Sequence, residues 1–378
     1  GGQGQAEYMK EAAQQIDGIR KKWGRRLLIL GHHYQRSSVL RHADETGDSL
    51  QLARKAGADR EAERIVFCGV RFMAESADIL SALGQTVYMP EMSAGCPMAD
   101  MATAERMETA MEHLAAHGGD WLPVVYVNSS AAVKACCGRW GGSTCTSSNA
   151  TRVFEWVRGQ GKRVFFLPDE HLGVNSAHDL GIPDDAVAIY DPGQVGGGLD
   201  ADGLKQAAVV VWKGFCIVHQ AFAVEQIAEV RRKLPDARII VHPESPKEVV
   251  RVCDAHGSTA QIIRYVEAAE DGATIVIGTE LNLVQRLAEQ HAGRVTVKAL
   301  APSVCANMAR TNEANLLDLL REWPEDREVH VPADVAGEAQ TAFAVAVRAA
   351  GILLWVRGRI VLPEGEQQGA LSLLFFLN

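Results

Sequence analysis

The chain has 378 residues, 47% hydrophobic and 22% charged, with a formal net charge of −9 and a pI near 5.8. This is an ordinary globular composition with apolar material for a large core, and the length divides into roughly two or three domains or several fused smaller units. The acidic balance excludes nucleic acid as the main partner, because phosphate backbones require an electropositive face, but it leaves room for small anionic ligands at a local site.

The opening stretch, GGQGQAEYMKEAAQQIDGIRKKWG, is polar and then amphipathic, without the apolar centre of a secretory signal. The late apolar runs GILLWV and LSLLFFLN fall far short of the ~20 residues of a membrane span. A cytoplasmic location is therefore the expectation.

The first strand is LLILGHHY, an aliphatic run whose polar end carries His32 and Tyr34. Residues two apart on an extended chain face the same way, so the tip presents two polar groups in one direction. Seventeen residues after His32, Ser49 precedes an apolar stretch with helical spacing, the pattern of a helix N-terminus. A second strand, RIVFCGV, and a third, QTVYMPEMSAGCP with Cys96, follow.

The same order then returns. LPVVYVNSS ends in Tyr126 and Asn128, Ser147 opens a helical stretch, KRVFFLPD is the next strand, and AVVVWKGFCIV carries Cys216. It returns again as ARIIVHPES with His242 and Glu244, Thr259 before a helix, ATIVIGTE, and RVTVKALAPSVCANM with Cys305. Phe67 to Cys96 and Val276 to Cys305 both span twenty-nine residues, whereas Phe165 to Cys216 spans fifty-one. The middle unit thus carries an insertion, which includes the Gly/Asp-rich DPGQVGGGLDADG at 191–203.

Ligands in parallel α/β units sit at the carboxyl ends of strands. Three units facing inward would build one central site, with helix N-termini that favour carboxylates and phosphates. Three cysteines on one wall are one short of a closed tetrahedral site. A [4Fe–4S] cluster held by three thiolates keeps one iron open as a Lewis acid. Of the remaining five cysteines, Cys68 in a strand and Cys253 in an expected helix read as core filler, and Cys136, Cys137 and Cys145 read as structural.

The motifs GHHYQ, GDSLQLARKA, GVRFMAE, SAGCPMA, VVYVNSSAAVKA, CTSSNA, PDEHLG, GFCIVHQAF, IIVHPESP, GSTAQII, IGTE and VCANM stand in order between Arg25 and Pro332. Together they resemble the quinolinate synthase family. The combination of HPESP, GSTAQ and three separated cysteines is the specific part.

The resemblance implies three similar α/β/α units with short parallel sheets, arranged with pseudo-threefold symmetry around a [4Fe–4S] cluster. It implies condensation of iminoaspartate with dihydroxyacetone phosphate to quinolinate, with loss of phosphate and water, for NAD biosynthesis. It also implies coupling to an aspartate-oxidising enzyme. By motif, the cluster ligands fall on Cys96, Cys216 and Cys305. Substrate-binding positions fall on His32, Ser49, Tyr126, Asn128, Ser147, His242, Glu244 and Thr259. Tyr34 and Glu244 are the expected proton shuttles, Glu244 through a pKa raised by burial, while His32 and His242 orient substrate oxygens.

The expected units cover residues 22–105, 106–218 and 219–310, followed by a C-terminal helical segment at 311–350 that packs back on the core. The tail at 351–378 and the lengthened CCGRWGGS depart from the family pattern. Two rival readings remain: a cluster-dependent hydro-lyase acting on another small polycarboxylate, and a non-catalytic iron–sulfur redox protein.

Overall fold

A computed structural model describes residues 2–351 and the backbone of two short antiparallel strands, Leu354–Val356 and Arg359–Val361. The rest of the divergent tail lies outside the described residues. The protein is α/β, with its longer strands in three separate sheets.

The first sheet holds β1 (Leu27–His32), β2 (Glu45–Gly47), β3 (Arg64–Cys68) and β4 (Thr86–Tyr88) in the order β2-β1-β3-β4, all parallel. The second holds β5 (Trp121–Tyr126), β6 (Ser143–Cys145), β7 (Arg163–Leu167), β8 (Val187–Tyr190) and β9 (Val209–Trp212) in the order β6-β5-β7-β9-β8. The third holds β10 (Arg238–Val241), β11 (Ala255–His256), β12 (Thr274–Gly278) and β13 (Thr296–Ala299) in the order β11-β10-β12-β13. Parallel strands are covered by helices on both faces, which is why β1, β5 and β10 read as nearly continuous apolar runs. Leu30, Val124 and Ile240 are buried in their separate cores, each worth about 1.5–3 kcal/mol of burial.

The insertion in the middle unit is structured. It adds β8 at the sheet edge, then a glycine-rich turn and the helix Ala201–Gln206. The longer CCGRWGGS region is a second addition, because the helix Ala131–Arg139 replaces the single turns Ser37–Leu40 and Lys247–Val250 of the other sheets.

Past the third sheet, β14 (Glu328–Val329) pairs antiparallel with β4. The helix Ala333–Ala350 then lies against Ala131–Arg139, an approach that needs Gly138, because a Cβ there would stand 2.0 Å from the carbonyl oxygen of Glu338. Cys253 is not in a helix. It lies in the bend after Lys247–Val250, where the Asp254 carboxylate accepts from the Ile239 N–H at 2.7 Å and draws the chain out toward β11. No helix among the described residues is long and apolar enough to cross a membrane.

Candidate active site

The ends of β1, β5 and β10 reach a common cavity. His32, Tyr34, Tyr126, Asn128, His242 and Glu244 all line it, the second of each pair from the turn or bend that follows the strand. The cavity opens to solvent and is walled by residues from all three sheets.

Two of the tips repeat one local geometry. The Tyr34 N–H donates to His32 Nδ1 at 3.0 Å, and the Glu244 N–H donates to His242 Nδ1 at 3.2 Å. An Nδ1 that accepts leaves the proton on Nε2. Burial pushes His32 well below its ordinary value and His242 down to about 3. Each ring is therefore a neutral N–H donor, suited to a substrate oxygen without the cost of burying an uncompensated charge.

Ser49, Ser147 and Thr259 also line the cavity, but they are not the helix caps. Asp48 and Ser258 are the caps, each in a capping box with Gln51 or Gln261. Ser49 and Thr259 are the first helical residues, so their hydroxyls are released from capping and stand beside free N–H groups at the positive helix end. Ser147 lies three residues before the helix Ala150–Gly159, in a turn where Asn149 Oδ1 accepts from the Thr146 N–H at 2.7 Å. Ser148 donates to Ser258 at 2.8 Å and ties that turn to the third sheet.

Cys96, Cys216 and Cys305 line the same cavity, although they follow β4, β9 and β13 of three different sheets. Backbone N–H groups two or three residues further on face each sulfur: Met98 and Ala99 toward Cys96, His219 toward Cys216, and Asn307 and Met308 toward Cys305, where the Met308 N–H donates at 3.5 Å. Such donors favour anionic sulfur. Burial nonetheless pushes all three thiols up, Cys96 to about 12, so they ionise only with a metal to bind. Three such sulfurs, each with its own N–H donors, fit an iron–sulfur cluster.

The other five cysteines are unpaired and none lines the cavity. Cys137, for example, donates to the Ser143 carbonyl at 3.5 Å.

The sequence reading gave no role to His219 and Thr279, yet they join the sheets. Thr279 Oγ1 is 3.0 Å from the Tyr34 hydroxyl and 2.9 Å from His219 Nε2. His219 Nδ1 faces Glu244 Oε2 at 2.8 Å and Cys216 Sγ at 3.3 Å. The Tyr126 hydroxyl donates to Glu244 Oε1. A hydrogen-bonded row thus runs Tyr34, Thr279, His219, Glu244, Tyr126. The available signal was spacing, since His219 stands three residues after Cys216, one helical turn away.

Glu244 departs from expectation. Burial acts to raise its pKa, but His242, His219 and the hydrogen bonds from His219 and Tyr126 outweigh it and hold the carboxyl below its ordinary range. Because burial keeps His242 neutral, the two direct hydrogen bonds carry the effect. Glu244 is an ionised acceptor in the free protein, not a stored acid. Burial and the nearby Glu244 charge push both tyrosine hydroxyls up, so Tyr34 and Tyr126 hold their protons.

The family model described as "Quinolinate synthetase A protein" matches residues 14–347. A quinolinate synthase of Halalkalibacterium halodurans is 49% identical over 297 residues, covering 78% of this chain and 80% of that protein. One from Bacillus anthracis is 46% identical over 325 residues, covering 85% and 88%. One from Anoxybacillus flavithermus is 46% identical over 341 residues, covering 88% and 92%. With its motifs, its sheets and these relatives in agreement, the chain belongs to the quinolinate synthetase A protein family.

Proposed function

We propose that this chain is the enzyme that forms quinolinate for NAD biosynthesis, condensing iminoaspartate with dihydroxyacetone phosphate in the cavity. Family membership supports the reaction. The observation that carries the site is the meeting of three strand tips and three cysteines, from three sheets, in one cavity.

The pieces divide by chemistry. The neutral Nε2–H groups of His32 and His242 donate to carboxylate or hydroxyl oxygens of the substrates. The hydroxyls of Ser49, Ser147 and Thr259, with the nearby helix N-termini, take carboxylate and phosphate, and Asn128 supplies an amide. Tyr34 keeps its proton and is connected through Thr279 to His219, so it delivers a proton and regains one along that row. Glu244, already ionised, accepts a proton from substrate carbon or nitrogen, with Tyr126 holding its second oxygen.

Cys96, Cys216 and Cys305 would hold a [4Fe–4S] cluster, which supplies an open iron as a Lewis acid for a substrate hydroxyl. The eight unpaired cysteines suit a reducing, cytoplasmic setting. An aspartate-oxidising enzyme is the partner that would supply iminoaspartate.

The recurring strand order supports three related units at 22–105, 106–218 and 219–310, set about a pseudo-threefold axis, with 311–350 as an added C-terminal segment. The test of the reaction is an anaerobic assay of the purified protein with both substrates. Quinolinate should form only when both are present. Dehydration of another small polycarboxylate without quinolinate would favour the hydro-lyase reading.

A further inference from the structure

Three side chains that do not line the cavity share one arrangement. Lys134 Nζ donates to the carbonyls of Val127 at 2.7 Å and Ser129 at 2.5 Å, the residues on either side of Asn128. Asn175 Nδ2 donates to the carbonyls of Pro243 at 2.8 Å and Ser245 at 2.9 Å, on either side of Glu244. Arg286 donates to the carbonyl of Gln35 at 3.2 Å and to that of His33, on either side of Tyr34. Each time the clasped pair flanks the second polar residue of a strand tip.

We infer that Lys134, Asn175 and Arg286 are positioning residues, each fixing the direction in which Asn128, Glu244 or Tyr34 enters the cavity. The inference rests on the reading of this cavity as the quinolinate-forming site.

Two of the tips are turns, with the Gln35 N–H donating to the His32 carbonyl and the Ser245 N–H to that of His242, both at 3.0 Å, and the carbonyls on either side of residue i, Tyr34 or Glu244, face one donor. A donor that reaches both sets the bend of the chain at residue i, and with it the direction of that residue's Cα–Cβ bond. The tips have left the sheet ladder at these positions, so their carbonyls need other partners. Lys134 is 0% exposed and Asn175 2%, so losing Asn175 would strand two carbonyls away from water and losing Lys134 would strand that of Ser129, while the Val127 carbonyl keeps the Ser129 N–H at 2.9 Å.

The origin of the donors also ties the sheets together. Asn175 and Arg286 are both the sixth residue of the helix that follows the third strand of their sheet in chain order, Glu170–Asp179 after β7 and Leu281–Gln290 after β12. Asn175 reaches the tip of the third sheet and Arg286 that of the first. The corresponding helix of the first sheet, Arg71–Leu80, has Ser76 in sixth place, and its buried hydroxyl has no hydrogen-bond partner among the described residues. Serine is too short to clasp, and Lys134, from the helix that follows β5, holds the remaining tip. Its ammonium is attracted by Glu75 of that same first-sheet helix.

The test compares cluster-loaded wild type, Arg286→Met and Arg286→Lys for kcat, KM, iron content and amide exchange at residues 33–36. A clasp lost from Tyr34 should lower kcat about 100-fold in Arg286→Met, with KM within about threefold of wild type. Exchange at 33–36 should quicken while iron content stays at the wild-type level. Arg286→Lys keeps a donor able to bridge two carbonyls, as Lys134 does, and should recover most of the lost kcat.

Wild-type kcat and exchange in Arg286→Met would overturn the inference. So would equal losses in both variants that follow the amount of folded protein. Should Arg286→Met not fold, Asn175→Leu read by amide exchange at Glu244 and Ser245 is decided by the same criteria. A wild type that makes no quinolinate would refute the proposed reaction, and exchange at 33–36 would then decide the clasp alone.

Discussion

His219 Nδ1 lies 2.8 Å from Glu244 Oε2, which joins the turn that carries Cys216 to the tip of β10. The other ring nitrogen reaches Tyr34 through Thr279. A single imidazole thus stands between the proposed proton donor and the proposed acceptor. His219→Gln should lower kcat at least about 100-fold, the usual worth of a positioned proton-transfer group. Because His219 is not one of the three thiols proposed to hold the cluster, iron content should be unchanged. Full quinolinate turnover in His219→Gln would remove the hydrogen-bonded row from the mechanism.

Tyr34→Phe keeps the ring and removes the hydroxyl that bonds Thr259 at 3.1 Å and Thr279 at 3.0 Å. Steady-state kinetics should show kcat lower by about 100-fold or more, with KM changed much less. A rise in KM at constant kcat would make Tyr34 a binding residue only.

Burial and the nearby Arg286 charge hold His33 down to about 4, and burial holds His242 down to about 3. In the unfolded chain both protonate near pH ~6.5. Below that pH the unfolded state binds protons that the folded state refuses, so stability present above about 6.5 is lost progressively as pH falls toward about 4. The urea midpoint of the anaerobic protein should therefore fall between about pH 7.5 and about pH 5, and it should fall less in His33→Gln. Equal falls in the two proteins would contradict this account of His33.

Gly257 precedes the cap of the third sheet's helix. A Cβ there would stand 2.8 Å from Gln261 Cβ, inside the capping box that sets up Thr259. Gly257→Ala should destabilise the fold by about 1–3 kcal/mol, as overpacking does. Thermal unfolding should show a lower melting temperature, and an unchanged one would mean that the box relaxes freely.

The strand tips were legible because an aliphatic run that ends in paired polar residues marks the open end of a buried strand, although Tyr34 and Glu244 reach the cavity from turns rather than from extended chain. The cysteines were legible because each follows the last strand of a recurring unit, Cys96 and Cys305 at the same separation and Cys216 beyond an insertion. Helix starts were misread by one residue, because Asp48 and Ser49, or Ser258 and Thr259, are all good capping types and only coordinates show which side chain meets the helix N–H groups. Glu244 was misread because burial was weighed without the donors His219 and Tyr126, which lie far away in sequence. The clasps by Asn175 and Arg286 were invisible for the same reason, since each reaches another sheet's tip.

The most direct test of the account is iron and sulfide content after anaerobic purification, for wild type and for Cys96→Ala, Cys216→Ala, Cys305→Ala and the control Cys137→Ala. About four irons and four sulfides per chain are predicted for wild type and control, with loss of the cluster in each of the three other variants. A full cluster retained after removal of any one of those three thiols would contradict it.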